Sequence, residues 1–195
     1  MRIGIMGGTF NPIHLGHLIA AEQARDGMGL QEVWFLPSNI PPHKEPETGA
    51  AAEQRLEMVR RAVSGHPQFR VNDLELRLGG KSYSVNTVAE LQKQHPDHEF
   101  YFIIGGDMVQ YLPNWHRIEE LVRKVFFIGL QRAGTTLDPD SLPDWIREKV
   151  VMIPMPMIQI SSTDIRGRFA EKQSIRYLVP DEVRSYIEEN GLYES

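Results

Sequence analysis

The reading of this chain turns on residues 2–17, Arg2-Ile3-Gly4-Ile5-Met6-Gly7-Gly8-Thr9-Phe10-Asn11-Pro12-Ile13-His14-Leu15-Gly16-His17. Arg2–Met6 is a short apolar run of β-forming character that ends in two glycines, and a helix-period stretch, His17–Arg25, follows. A strand, a glycine turn and a helix start make the first βα unit of an open α/β sheet. Such sheets bind ligands outside the carboxyl ends of their strands. Gly7 and Gly8 let a ligand approach the backbone closely, Thr9 adds a hydroxyl donor, and the helix start offers positive potential to phosphate. His14 and His17, three residues apart, share a face at the first helical turn. Imidazole donates to phosphate oxygens in either protonation state. In a structural reading one histidine caps the helix and the other packs. Two histidines flanking Gly16, directly after a Gly-Gly-Thr turn, point instead to a phosphate ligand. A His-x-x-His metal pair would need further ligands, and none is nearby in sequence.

The rest of the chain repeats this alternation. Glu32–Leu36, Phe69–Leu74, Phe100–Ile104, Val125–Leu130 and Val150–Ile153 read as strands, with helix-period stretches at Glu53–Val63, Val85–Gln94 and Arg117–Arg123. Strands as apolar as FYFII and VFFIGL are buried on both faces, which implies a parallel sheet covered by helices. The expected fold is a Rossmann-like doubly wound α/β domain covering residues 1–195 as one unit. Pro180, the stripe Val183, Tyr186 and Ile187, and the stop Asn190-Gly191 mark a C-terminal helix. Pro37–Ala50 and Gln131–Pro143 read as long functional loops.

Composition narrows the function classes. The 195 residues contain no cysteine and carry a formal charge of −5. Disulfides and cysteine–zinc sites are therefore excluded, and a cytoplasmic setting fits. No basic run is interleaved with aromatics, which argues against a nucleic-acid surface. No signal-peptide core is visible and no run of about 18 uncharged apolar residues occurs, so no transmembrane helix is expected. Two glycine motifs are decoys. Gly79-Gly80-Lys81-Ser82 ends like a P-loop, but Glu75 stands where the first glycine belongs. Gly4, Gly7 and Gly8 do not make the dinucleotide G-x-G-x-x-G.

A second phosphate-type helix start lies far along the chain, at Ile160-Ser161-Ser162-Thr163-Asp164-Ile165-Arg166. Ser161 and Asp164 have the S-x-x-D spacing of a capping box. Three successive hydroxyls, with Arg166 one turn on, also suit a polyphosphate.

Together, GGTFNPIHLGH and ISSTDIR resemble the nucleotidyltransferase superfamily that carries H-x-G-H and a distal S-S/T-x-x-R motif. Within it the chain looks like the bacterial nicotinate-mononucleotide adenylyltransferases. PPHK at 41–44, KSYSVNT at 81–87, IIGGDM at 103–108, LPNW at 112–115 and the closing NGLYES carry the likeness along essentially the whole length. The resemblance implies a nucleotidyltransferase-type fold and AMP transfer from ATP to nicotinate mononucleotide, with Mg²⁺ arriving on ATP. It implies ATP phosphates on Gly8, Thr9, His14, His17, Ser161, Ser162 and Arg166, in a turn that includes Gly7 and Phe10. His14, His17 and Arg166 would be catalytic. Gly105 and Asp107 would take the adenosine, with Asp107 on ribose. Lys44 would meet phosphate, and Thr87 and Trp115 would hold the nicotinate ring. Asn11 stands where the family more often has aspartate. His116 follows Trp115 at the outer wall of the nicotinate pocket, where relatives often carry tyrosine. A homodimer is what the family suggests. A phosphopantetheine adenylyltransferase would share the histidine motif without accounting for KSYSVNT, GGDM and PNW, and a non-catalytic ATP sensor would bind without releasing pyrophosphate.

Overall fold

The computed structural model describes residues 1–41, 49–132 and 141–194. In chain order the elements are β1 (Arg2–Gly8), α1 (Leu15–Met28), β2 (Glu32–Pro37), α2 (Ala52–Val63), β3 (Phe69–Val71), α3 (Leu74–Leu78), α4 (Ser84–Gln94), β4 (Glu99–Gly105) and α5 (Gly106–Val109). A 3-10 turn (Leu112–Asn114) follows, then α6 (Ile118–Val122), β5 (Phe126–Arg132), α7 (Asp144–Arg147), β6 (Val150–Met155), α8 (Ser162–Ala170) and α9 (Asp181–Glu189).

The strands form one sheet in the order β3-β2-β1-β4-β5-β6. β1 pairs parallel with β4, β4 with β5, and β5 with β6. This is the strand order of Rossmann-type sheets, and β1 sits where the order reverses. The fold is the expected Rossmann-like doubly wound α/β architecture. Ile3–Met6 of β1 and Phe100–Ile104 of β4 are buried, as the continuous apolar runs require. β6, at the sheet's edge, is partly or fully open along its whole length and tolerates Pro154, which an interior strand would not. Among the described residues no helix is long and apolar enough to cross a membrane.

Contacts group the chain into two compact units. One comprises Met1–Met6, Ala20–Trp34 and Tyr83–Met157; the other comprises Gly7–Ile19, Phe35–Ser82 and Ile158–Ser195. The core of the first contains Ile3, Ile5, Leu91, Phe100, Phe127 and Ile128, all at most 1 % exposed. In the second, α2 packs on α9, where Val183 and Ile187 are fully buried. The Arg61 guanidinium lies over the Tyr186 ring at 4.6 Å, so Tyr186 caps the α9 stripe at its edge.

One strand expectation is corrected. Phe69–Leu74 is a strand only to Val71, and Leu74 begins α3 instead. Oδ1 of Asn72 accepts the Leu74 N–H at 3.0 Å, a local turn that ends the strand. A helix rather than a strand therefore precedes Gly79 and Gly80, both at positive φ, unlike a P-loop.

Gly129 shows how closely the second half of the sheet is covered. A Cβ there would lie 2.5 Å from Sδ of Met152 on β6 and 2.7 Å from Cγ2 of Val109 on α5. The thioether can swing away, but the branched valine on a short helix has little room to. Gly129→Ala is expected to destabilise the protein by about 1–3 kcal/mol through overpacking. Urea unfolding followed by circular dichroism reads this, and an unchanged midpoint would mean that α5 is not tightly seated on β5.

Candidate functional site

The segment after β1 makes a turn that the sheet does not support, so its carbonyls need partners outside the ladder. Side chains distant in sequence supply them. The Thr9 carbonyl accepts Nη1 of Arg55 at 2.7 Å. The Asn11 carbonyl accepts Nη1 of Arg166 at 2.8 Å, and the Pro12 carbonyl accepts the Ser162 hydroxyl at 2.9 Å. Asn11 itself is 2 % exposed, and its Oδ1 takes both the Ala50 N–H (3.2 Å) and the Tyr193 hydroxyl (2.8 Å). Gly49 is needed beside it, because a Cβ there would sit 2.6–2.8 Å from the Asn11 amide atoms. The role of Asn11 in this structure is thus that of a buried acceptor tying together three chain segments.

Phe10 adopts a left-handed backbone, φ 51°, with its ring buried against Phe35 and edge-on to His17. Gly8 makes room for that ring, since a Cβ would lie 3.0 Å from two of its atoms. Gly7 is exposed, and Gly8 and Thr9 are partly open.

His14 immediately precedes α1, and His17 lies in its first turn. The His14 N–H donates to Nδ1 of His17 at 3.2 Å, and the two rings stack with centroids 3.7 Å apart. This is one half of a capping box, with His17 reaching back to an otherwise orphan helix-start donor. The cap and the ligand readings therefore meet in one ring. Because Nδ1 accepts, neutral His17 carries its proton on Nε2, the atom then able to donate to an anion. Burial first, and the neighbouring His14 second, hold His17 well below the ordinary histidine value of 6.5. Gly16 serves the pair sterically, because a Cβ there would meet the His14 ring at 3.0 Å.

The distal motif opens α8 as its spacing requires. Ser161 is the cap, its hydroxyl accepting the Asp164 N–H at 3.1 Å. Ser162 and Arg166, through the bonds above, join α8 to residues 11 and 12. The structure thereby brings Gly7, Gly8, Thr9, Phe10, His14, His17, Ser161, Ser162 and Arg166 into one compact unit.

Gly105, Asp107, Thr87, Trp115 and His116 belong to the other unit. Gly105 ends β4 and Asp107 starts α5; a Cβ at Gly105 would lie 2.7 Å from an Asp107 carboxylate oxygen, so the glycine lets that carboxylate fold back over the strand end. Trp115 is partly open and packs edge-on against Phe102 and Phe127. His116 is exposed and stacks obliquely on Tyr83 at 4.3 Å. Thr87, 1 % exposed, bonds its hydroxyl to the Tyr83 carbonyl at 3.3 Å within α4. Lys44 lies outside the described residues, as do most of the two expected loops. Among the described residues no group of three or more His, Asp and Glu is placed to hold a metal ion.

Arg55 lies outside every motif, and Tyr83 and Tyr193, though inside KSYSVNT and NGLYES, carry no role that their residue type alone announces. Arg55 did leave a trace: it falls in phase with Leu56, Val59 and Val63 on the buried face of α2, where a charged residue needs a partner.

The cytidylyltransferase-like family model matches residues 5–168. The probable nicotinate-nucleotide adenylyltransferase of Geobacillus thermodenitrificans is 50 % identical over 98 % of this chain and 86 % of its own length. The protein of the same description from Oceanobacillus iheyensis is 48 % identical, over 98 % and 96 %. Plasmodium falciparum nicotinic acid mononucleotide adenylyltransferase, solved in complex with NaAD, superposes with a TM-score of 0.81 across 98 % of this chain and 97 % of its own, at 21 % identity, a likeness that bears on the fold. The histidine turn, the distal serine–arginine helix start and these full-length likenesses agree, and the chain belongs to the cytidylyltransferase-like family, among its nicotinate-nucleotide adenylyltransferases.

Proposed function

We propose that this enzyme transfers AMP from ATP to nicotinate mononucleotide, releasing pyrophosphate and forming nicotinate adenine dinucleotide in NAD biosynthesis. The observation that carries the reading is the joining of the two phosphate-type helix starts: α8 bonds through Arg166 and Ser162 to the turn that leads into the His14–His17 pair. In this reading the 195 residues act as one cytoplasmic nucleotidyltransferase domain that works as a homodimer.

The 5′-phosphate of the acceptor attacks the α-phosphorus of ATP in line. A phosphate monoester has a second pKa of about 6, so at neutral pH the nucleophile is already anionic and needs no general base. The protein's task is alignment and the stabilisation of charge growing on the leaving pyrophosphate. His17 donates through Nε2–H. Arg166, whose guanidinium donates to the Asn11 carbonyl and the Thr163 hydroxyl, brings its fixed positive charge to the same turn. The exposed glycines and the starts of α1 and α8 add oriented backbone donors. The Mg²⁺ that accompanies ATP is part of the substrate. Gly105 and Asp107 take the adenosine, Lys44 a phosphate, and Thr87, Trp115 and His116 line the nicotinate end.

Pyrophosphate release from Mg²⁺–ATP is expected to be fast with nicotinate mononucleotide, weaker with nicotinamide mononucleotide and absent with phosphopantetheine. Release only with phosphopantetheine would reassign the acceptor, and ATP binding with no release would make the protein a sensor. His17→Ala is expected to stay folded and lose about 10²–10³-fold in kcat. A folded variant with near-normal turnover would remove His17 from the chemistry.

The lowered pKa of His17 has a signed consequence. Below pH 6.5 an unfolded histidine takes up a proton that folded His17 refuses, so this site's contribution to stability falls as pH drops through that window. Bound phosphates raise the pKa again, which couples ATP binding to proton uptake. Calorimetry at pH 6 in buffers of different ionisation enthalpy is expected to show more protons taken up by wild type than by His17→Gln. Equal uptake would place the phosphates away from His17.

A further inference from the structure

Arg55 is a charged side chain deep in a hydrophobic helix face, 5 % exposed, and its guanidinium is spent on backbone carbonyls. Nη1 donates to Thr9 O at 2.7 Å and Nη2 to Asn39 O at 3.2 Å. These carbonyls lie just beyond the ends of β1 and β2, which are also linked by the Ser38 N–H donating to Gly8 O at 2.9 Å. Arg55 thus clamps two loops at the ends of neighbouring strands.

The grip on Thr9 has a directional consequence. The Thr9–Phe10 peptide is trans, since the cis bond in this turn is Asn11–Pro12. In a planar trans peptide the carbonyl and the following N–H point to opposite edges. With Thr9 O drawn inward to Arg55, the Phe10 N–H is aimed the other way. The left-handed φ of 51° at Phe10 is uncommon for a bulky residue and persists only where the surroundings over-determine it. Arg55 on the carbonyl side, with the Phe10 ring buried against Phe35 and His17, provides that determination.

We propose that Arg55 is a positioning residue for polyphosphate binding: by clamping Thr9 O and Asn39 O together it aims the backbone donor of Phe10 at the phosphates of ATP. The proposal rests on reading this turn as the ATP phosphate site. It needs arginine specifically, because a planar fork satisfies two carbonyls at once while a lysine ammonium of equal charge lacks that geometry. Positioning and mere charge are therefore separable.

The test measures binding of ATP, inorganic tripolyphosphate and adenosine to the full chain, by calorimetry and ligand-observed NMR, for wild type, Arg55→Lys and Arg55→Gln. Circular dichroism melts establish which variants fold. Arg55→Lys is expected to weaken ATP and tripolyphosphate by about 10–100-fold, the scale of a lost hydrogen bond to a charged group, while adenosine binding stays unchanged. Arg55→Gln is expected to lose at least as much. A purely structural role would weaken all three ligands together, and that result would overturn the proposal. So would wild-type affinities in folded Arg55→Lys, or failure of both variants to fold, which would make Arg55 a folding residue. If wild type bound neither ATP nor tripolyphosphate, the phosphate-site reading itself would fall, independently of the clamp.

Discussion

A parallel strand that ends in a sharp turn leaves carbonyl groups without ladder partners, and in this protein the turn after β1 meets that demand with side chains. Thr9, Asn11 and Pro12 each give their carbonyl to a side-chain donor, from Arg55, Arg166 and Ser162. With these three acceptors committed to protein, anion binding in the proposed reading falls to the turn's amide donors and to the helix start that follows. This follows from peptide planarity and from the cost of leaving buried polar groups unpaired. The left-handed Phe10, the buried Asn11 and the glycines at 8, 16 and 49 all serve the same turn. Each supplies space or a bond without which it would relax to another conformation.

In the proposed reaction His17 serves structure and chemistry together. Nδ1 of His17 caps the start of α1, which fixes the ring and its tautomer. Burial and a neighbouring histidine favour the neutral form of the ring. The lowered pKa of His17 avoids the cost of holding two imidazolium rings in stacking contact. It also fits a reaction whose nucleophile arrives already ionised and asks the protein mainly for orientation.

Much of this was legible in sequence. Strand and helix periodicity located the elements of the sheet, because that pattern reports which residues face the core. The Ser161–Asp164 cap and the Asn190–Gly191 stop were readable because they involve neighbours within one helical turn. The first unreadable feature was the short reach of β3: apolar character runs on through Leu74, while the turn at Asn72 ends the strand. Thr87 is a second case. Its burial and the bond from its hydroxyl to the Tyr83 carbonyl at the start of α4 have no signature in its residue type.

What the sequence determined by itself is the βα alternation, the placement of two phosphate-type helix starts and the residue types that polyphosphate chemistry needs. Tertiary structure decided which carbonyl each donor meets. Arg55 reaches Thr9 across 46 residues, Arg166 reaches Asn11 across 155, and Tyr193 reaches Asn11 across 182. Periodicity and caps are encoded by residues a turn or less apart. A clamp between distant segments has no such local signature, because its geometry exists only once the elements carrying its two halves have packed.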